Sequence, residues 1–158
     1  MALSTSNSYF YSDGTLTDVA GSTASLETDA YMTKSVTRRG ILATSSLKQI
    51  AFYKNQEKGE ELIDWSIEYS YDGTKTKTNT FYTYDTATNK TDCLRNVTVY
   101  KSEFAYIAGQ LTTATRPTPA ATTMKSSTAY VGDQKGEEII DYTDNYIVGN
   151  APGNCNFH

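Results

Sequence analysis

Apolar and polar residues alternate through the stretch from Glu61 to Tyr71. The bulky residues occupy every second position, as Ile63, Trp65, Ile67, Tyr69 and Tyr71. A period of two residues is typical of a strand with one buried face. Asp72-Gly73 follows, and this dipeptide favours a tight hairpin turn because glycine accepts a positive φ. The pattern therefore predicts a strand over 61–71, a turn, and a second strand over 74–84.

An eight-residue motif occurs twice in the chain. Lys58–Trp65 reads KGEELIDW, and Lys135–Tyr142 reads KGEEIIDY at the same spacing of 77 residues throughout. A match of this length at a single spacing indicates a duplicated segment. We name it the B segment and place its two copies at about 47–72 and 124–149.

A weaker similarity defines a second repeated segment, named A. Ser8–Asp13 resembles Thr80–Asp85 at a spacing of 72, and Ser35–Thr37 resembles Asn96–Thr98 at a spacing of 61. The order A-B-A-B predicts two tandem units. The predicted ranges are 1–73 for the first A-B repeat, 74–150 for the second, and 151–158 for a C-terminal tail.

The composition favours β-structure with a thin core. Leu, Ile, Val and Phe number only 27 of 158 residues, whereas there are 25 Thr and 13 Tyr, which suit half-exposed sheet surfaces. We find no convincing helical periodicity. The predicted class is all-β, with two tandem units of short antiparallel hairpins forming an elongated, solenoid-like repeat structure. So few aliphatic residues suggest that neighbouring repeats or chains complete the core.

Several short motifs resemble known repeat proteins. Tyr69–Thr74, Phe81–Asp85 and Phe10–Leu16 resemble the tyrosine-aspartate hairpins of YD-repeat surface and toxin-shell proteins. Tyr130–Glu138, with its Gly-Glu-Glu core, is similar to very large tandem-repeat proteins of uncultured environmental bacteria. The resemblance implies a secreted, elongated β-repeat protein without known catalysis.

Catalytic chemistry is not predicted. The single histidine is the last residue, His158, which leaves no base for a nucleophilic triad. Glu60, Glu61 and Asp64 recur in the second B segment, but their spacing fits no calcium loop. We interpret them as charged residues at the start of a strand, pairing with lysines of a neighbouring strand. No catalytic residue, metal site or cofactor is therefore predicted, and the protein is not expected to be an enzyme.

The charge and the polar motifs favour an extracellular location. A net charge of −4 disfavours nucleic acid as a partner, and no run approaches the ~18 apolar residues of a membrane-inserted helix. Asn89 and Asn96 each begin an Asn-x-Thr sequence and are candidate glycosylation sites. Cys93 and Cys155 leave open whether the chain contains a disulfide.

The order of the segments suggests self-assembly. Within the chain, B leads into A through Asp72-Gly73, whereas the last B has no A after it and the first A has no B before it. The two ends are thus complementary halves of an internal junction. We predict a structural protomer of an extracellular or cell-surface fibre, a homopolymer joined head to tail through strand edges. The predicted interface residues are Tyr9, Phe10, Tyr11, Tyr142, Tyr146, Ile147 and Val148.

Two other interpretations remain open at this stage. Exposed tyrosines and Trp65 could stack on sugar rings, as in a carbohydrate-binding or adhesive β module with glycans as partners. Alternatively, the sequence is part of a larger shell-type repeat protein.

Overall fold

The strands fall into two compact units. The computed structural model describes residues 4–87, 92–101, 116–147 and 156–157. The first unit runs to Lys77 and the second starts at Thr78. Within the described ranges the only helical residues form a single 3-10 turn at Ala121–Thr123, and every other regular element is a strand. The predicted all-β class is confirmed, whereas the tandem and solenoid-like organisation stays a prediction.

The first unit is an open antiparallel sheet in the order β2-β1-β3-β4-β5. A turn at Gly73, whose φ is 73°, leads from β5 into β6, as the Asp-Gly signal predicted. The strands are β1 Ser6–Ser12, β2 Val19–Ala20, β3 Tyr31–Arg38, β4 Leu47–Lys54 and β5 Leu62–Tyr69.

The second unit is also an open antiparallel sheet, in the order β6-β7-β8-β9-β10. The boundary between the units falls inside β6, and β10 lies in the segment that was predicted as a tail. The strands are β6 Thr76–Tyr84, β7 Leu94–Lys101, β8 Met124–Val131, β9 Ile139–Tyr146 and β10 Asn156–Phe157.

The β4–β5 and β8–β9 hairpins share one backbone design. All six paired positions of the first, from Gln49↔Glu68 to Lys54↔Leu62, recur 77 residues later in the second. The β-bulge recurs as well, after Phe52 in one hairpin and after Ala129 in the other. Gly59 and Gly136 take the same turn conformation, with φ of 87° and 86°. The B segment is therefore a hairpin of fixed register, and not merely a sequence motif.

The strands beside the two hairpins also correspond to each other, β3 to β7 and β1 to β6. Their spacings differ by one residue from those given above for the A segments. When the two hairpins are aligned, the register shift beside Thr37 of β3 corresponds to the shift beside Val99 of β7, a spacing of 62. The register shift beside Phe10 of β1 corresponds to the one beside Thr83 of β6, a spacing of 73. The spacings of 61 and 72 are wrong by one residue. A slip of one residue matters because it turns every side chain to the opposite face.

Equivalent positions of the two hairpins carry different side chains. Phe52 and Trp65 stack in the first, with ring centroids 4.3 Å apart, and the adjacent Ile50 is completely buried. The counterparts of the stacked rings are Ala129 and Tyr142, and Tyr142 is 54% exposed. The same backbone ladder thus carries stacked, buried rings in the β4–β5 hairpin and a small and an exposed side chain at the same positions of the β8–β9 hairpin.

This contrast predicts unequal effects of matched substitutions. Trp65→Ala is expected to lower the free energy of unfolding by about 3–5 kcal/mol, because it leaves a cavity beside Phe52. Tyr142→Ala, at the corresponding exposed position, is expected to cost less than about 1 kcal/mol. Urea denaturation followed by circular dichroism measures both values. Equal losses for the two variants would contradict this assignment of the core.

Candidate assembly interface

Glu61, the second glutamate of the first Gly-Glu-Glu motif, links the turn between β4 and β5 to the earlier strand β3. The Glu61 carboxylate accepts one hydrogen bond from the N–H of Met32 in β3, at 3.0 Å, and another from the N–H of Gly59 in the turn, at 2.8 Å. Partial burial tends to raise the pKa of this carboxyl, but the backbone N–H donors outweigh it and the pKa is lowered. Glu61 therefore stabilises the sheet as an anion.

Glu138 makes the corresponding contacts in the second hairpin. Its carboxylate accepts from the N–H groups of Leu94 in β7 and Gly136, both at 2.8 Å. The bond from Leu94 contributes most to lowering the pKa of this carboxyl. We predicted that these carboxylates pair with lysines of a neighbouring strand. Glu61 and Glu138 instead accept hydrogen bonds from backbone N–H groups, so the second glutamate of each motif has a structural role.

Strand β9 has a long outer edge that is available for pairing. β8 pairs with its inner edge, whereas β10 pairs with its outer edge only at Asn145 and Tyr146. Among the described residues, no strand faces the outer edge from Ile139 to Thr143. A row of open backbone groups on an edge strand is a template for another strand.

Strand β1 has a shorter open edge. Its outer neighbour β2 covers only Phe10 and Tyr11, and the N–H of Gly21 reaches the carbonyl of Tyr9 at 3.4 Å. Residues 6–8 have no strand on this side within the described part of the chain. Since the backbone groups of Tyr9 point outward, those of Asn7, two residues earlier, point the same way. The outward N–H of Asn7 lies on this open edge.

The two edges differ in the features that normally protect an edge strand. β1 has the sequence SNSYFYS, without a charged residue or proline. β9 has the sequence IIDYTDNY and carries Asp141 and Asp144. Charges and prolines are common devices against edge-to-edge association. β1 therefore lacks that protection, whereas β9 has two acidic residues.

Only some of the predicted interface side chains are exposed to solvent. Tyr9, Tyr142 and Ile147 are exposed, whereas Phe10, Tyr11 and Tyr146 are half-buried. The Lys34 ammonium lies 4.6 Å from the centre of the Phe10 ring, and burial raises the pKa of the Tyr146 hydroxyl. β2 and β10 also occupy the edge at these half-buried positions. Val148 lies outside the described residues.

Sequence reasoning missed three residues of the open edges. Ile139 and Ile140 are 66% and 59% exposed on β9, and Asn7 lies on β1. The isoleucines correspond to Leu62 and Ile63 in the first hairpin, which are only half exposed. The alternating pattern placed Ile63, the counterpart of Ile140, on a buried face and assigned no face to Leu62, the counterpart of Ile139. Sequence spacing does not reveal which copy lies at an edge.

The other candidate positions have defined surroundings where they are described. The Asn96 amide nitrogen, where a glycan would be attached, donates to the hydroxyl of Ser127 at 3.0 Å. Asn89 and Cys155 lie outside the described residues, and the Cys93 thiol is buried. Glycosylation at Asn89 and Asn96 stays a prediction, and the disulfide question is untested.

Comparison with protein-family models, with curated proteins and with solved structures found no match. The resemblance to YD-repeat and Gly-Glu-Glu repeat proteins therefore stays a prediction. In the described part of the chain, no helix has the length and apolar character needed to cross a bilayer.

The Glu138 contacts predict a pH-dependent loss of stability. Glu138→Ala is expected to lower the free energy of unfolding by about 1.5–3 kcal/mol near neutral pH, because two N–H groups lose a charged acceptor. Since the folded-state pKa of Glu138 is lowered, its contribution is present above the ordinary carboxyl pKa and disappears as the pH falls through the lowered value. Urea denaturation at about pH 7 and about pH 3 should show the difference shrinking.

Glu137→Ala is the matched control, because Glu137 is the exposed first glutamate of the same motif. It is expected to change stability by less than about 0.5 kcal/mol. A loss equal to that of Glu138→Ala, or a Glu138 effect that does not change with pH, would contradict the proposed role of the carboxylate.

Proposed function

We propose that the protein is a structural protomer of an extracellular or cell-surface fibre, in which β9 of one copy pairs with β1 of the next. The single observation that carries the proposal is that no strand among the described residues pairs with the outer edge of β1 at residues 6–8 or of β9 at residues 139–143. Strand addition satisfies the open backbone groups of both edges. Because the contact joins two different surfaces, it propagates along a line or closes into a ring.

Charge favours pairing between unlike edges. Two β9 strands paired with each other would bring their Asp141 and Asp144 carboxylates together, and like charges across a strand pair are destabilising. β1 carries no charge and offers no such repulsion. The exposed Ile139, Ile140 and Tyr142 side chains on β9 would also be covered by a neighbouring copy. These features support the head-to-tail arrangement over a symmetric dimer.

The repeated backbone supplies a second argument. β9 corresponds to β5 at a spacing of 77, and β1 corresponds to β6 at a spacing of 73. In the chain, β5 passes directly into β6 through the turn at Asp72-Gly73. A β9–β1 contact between copies would be the intermolecular counterpart of this connection. On this view the chain is built from two tandem A-B units, and each added copy extends the same series.

The test is a proline placed on the open edge of β1. Asn7→Pro removes the outward N–H without touching the ladder to β3, so it should abolish fibres or raise the concentration needed for assembly at least about tenfold. Asn7→Ala is the control. It also loses the 2.8 Å hydrogen bond from the Thr37 hydroxyl to the Asn7 side chain, but it keeps the backbone N–H.

Negative-stain microscopy and sedimentation of the purified chain measure assembly. Fibres from the wild type and Asn7→Ala, together with their loss in Asn7→Pro, would support the proposal. A wild type that stays monomeric at high concentration, or unchanged fibres in Asn7→Pro, would overturn it.

A carbohydrate-binding or adhesive module is the second candidate. Three tyrosines, Tyr9, Tyr71 and Tyr142, are 47%, 75% and 54% exposed, and flat exposed rings can stack on sugars. Trp65, the other ring considered for this role, is buried against Phe52. Glycan-array binding that is lost in Tyr71→Ala would favour this function over the fibre.

A further inference from the structure

The most exposed large apolar side chains of the first unit lie on two turns. Ile41 and Leu42 are 74% and 63% exposed in the connection between β3 and β4, and Tyr71 is 75% exposed just after β5. We name Ile41, Leu42 and Tyr71 the tip patch. Single exposed apolar residues are ordinary on a protein surface, but neighbouring ones mark an interaction site.

The two turns are joined by direct contacts. The Ser46 hydroxyl donates to the carbonyl of Tyr71 at 3.3 Å, and the Arg39 guanidinium donates to the carbonyl of Ser70 at 2.9 Å. At Gly73 there is no room for a side chain, because a Cβ would lie 2.7 Å from the backbone nitrogen of Leu47. The Arg39 guanidinium also lies 5.6 Å from the centre of the Tyr71 ring. The three side chains therefore belong to one continuous surface.

The Ile41–Leu42 turn is held in shape by its own hydrogen bonds. The N–H of Ser45 donates to the carbonyl of Leu42 at 3.0 Å, and the N–H of Leu42 donates to the Ser45 hydroxyl at 3.2 Å. The Ser6 hydroxyl adds a bond to the carbonyl of Gly40 at 2.7 Å. A preorganised turn loses little conformational entropy when its side chains meet a partner.

The surroundings of the tip patch are basic, although the whole chain carries a net charge of −4. Arg39 and Arg38 flank the Ile41–Leu42 turn, Lys48 follows it, and Lys75 follows the turn that bears Tyr71. The guanidinium groups donate to carbonyl oxygens, such as that of Ser45 for Arg38 and that of Tyr69 for Arg39. Within the described residues none of these four cations pairs with a carboxylate. The anion of the patch is Asp72, which is bonded within its own turn.

We propose that the tip patch docks peripherally on an anionic lipid bilayer. Aliphatic and tyrosine side chains that project from turns fit the headgroup layer, where they bury apolar area, while cations around them meet acidic headgroups. Protein interfaces are broader and depend on flat, complementary surfaces, which two turn tips do not supply. The inference does not depend on fibre assembly, because it requires no strand pairing at β9 or at the outer edge of β1; only the Ser6 side chain contacts the turn.

The experiment is flotation of the purified chain with vesicles. One set contains equal parts of phosphatidylcholine and phosphatidylglycerol, and the other contains phosphatidylcholine alone. The wild type should float with the anionic vesicles, bind the neutral ones at least about tenfold more weakly, and be released by high salt. The double variant I41S/L42S should lose binding at least about tenfold, since insertion depends on both side chains.

Matched controls come from the second unit. Val131→Ser removes one exposed aliphatic side chain elsewhere, and Lys125→Gln is the counterpart of Lys48→Gln at the spacing of 77. Only Lys48→Gln and the double variant should weaken binding, and circular dichroism checks that every variant is folded. Equal binding to neutral vesicles, no binding to anionic ones, equal effects of both lysine variants, or a patch-dependent self-association without vesicles would each overturn the proposal.

Discussion

The register of the backbone ladder is the constraint on which the rest of this structure depends. Most of the strand pairs are interrupted by an extra residue in one strand, for example Asp64 of β5 and, 77 residues later, Asp141 of β9. A bulge of this kind re-aims every side chain beyond it. It decides that Trp65 stacks on Phe52 and that Tyr142 lies opposite Ala129. The two hairpins therefore share the same main-chain pairing, whereas the side chains packed on that backbone differ.

The Gly-Glu-Glu motif explains part of that fidelity. A carboxylate that binds both the hairpin turn and the preceding strand, as Glu61 binds Gly59 and Met32, fixes how the two pieces of backbone are aligned. The corresponding bonds of Glu138 fix the second hairpin in the same way. A stacked, buried ring pair is then less necessary for specifying the register, and the second hairpin can carry Ala129 and an exposed Tyr142 where the first has Phe52 and Trp65.

Local signals in the sequence were sufficient for β5, β6 and the turn between them. The period-two pattern before Asp72-Gly73 identified β5 and the turn into β6, because alternation and glycine conformation act over a few residues. The bulges could not be predicted, since an extra residue in a strand has no sequence signature. The A segments were therefore aligned with an error of one residue. The partner of Glu61 was also out of reach, because Met32 lies 29 residues earlier in the chain.

The candidate interface was predictable only in outline. The order of segments pointed to the first and last strands, but the two-residue strands β2 and β10 decide which backbone groups stay open. Neither has a sequence pattern long enough to be recognised, and β10 adds to β9 from a segment that contains no repeat. The exposure of Ile41 and Leu42 is a property of a short turn and likewise depends on the folded neighbours.

Pairing of strands with near neighbours along the chain has a kinetic consequence. In each unit the main pairs, β3–β4, β4–β5, β7–β8 and β8–β9, join consecutive strands. Pairing consecutive strands costs less loop-closure entropy than pairing strands that are distant in the chain, so we expect faster folding than for a sheet with non-consecutive neighbours. During synthesis, most strands pair with a strand that has already been made. This shortens the time for which an incomplete sheet exposes apolar surface and unpaired edges to other nascent chains.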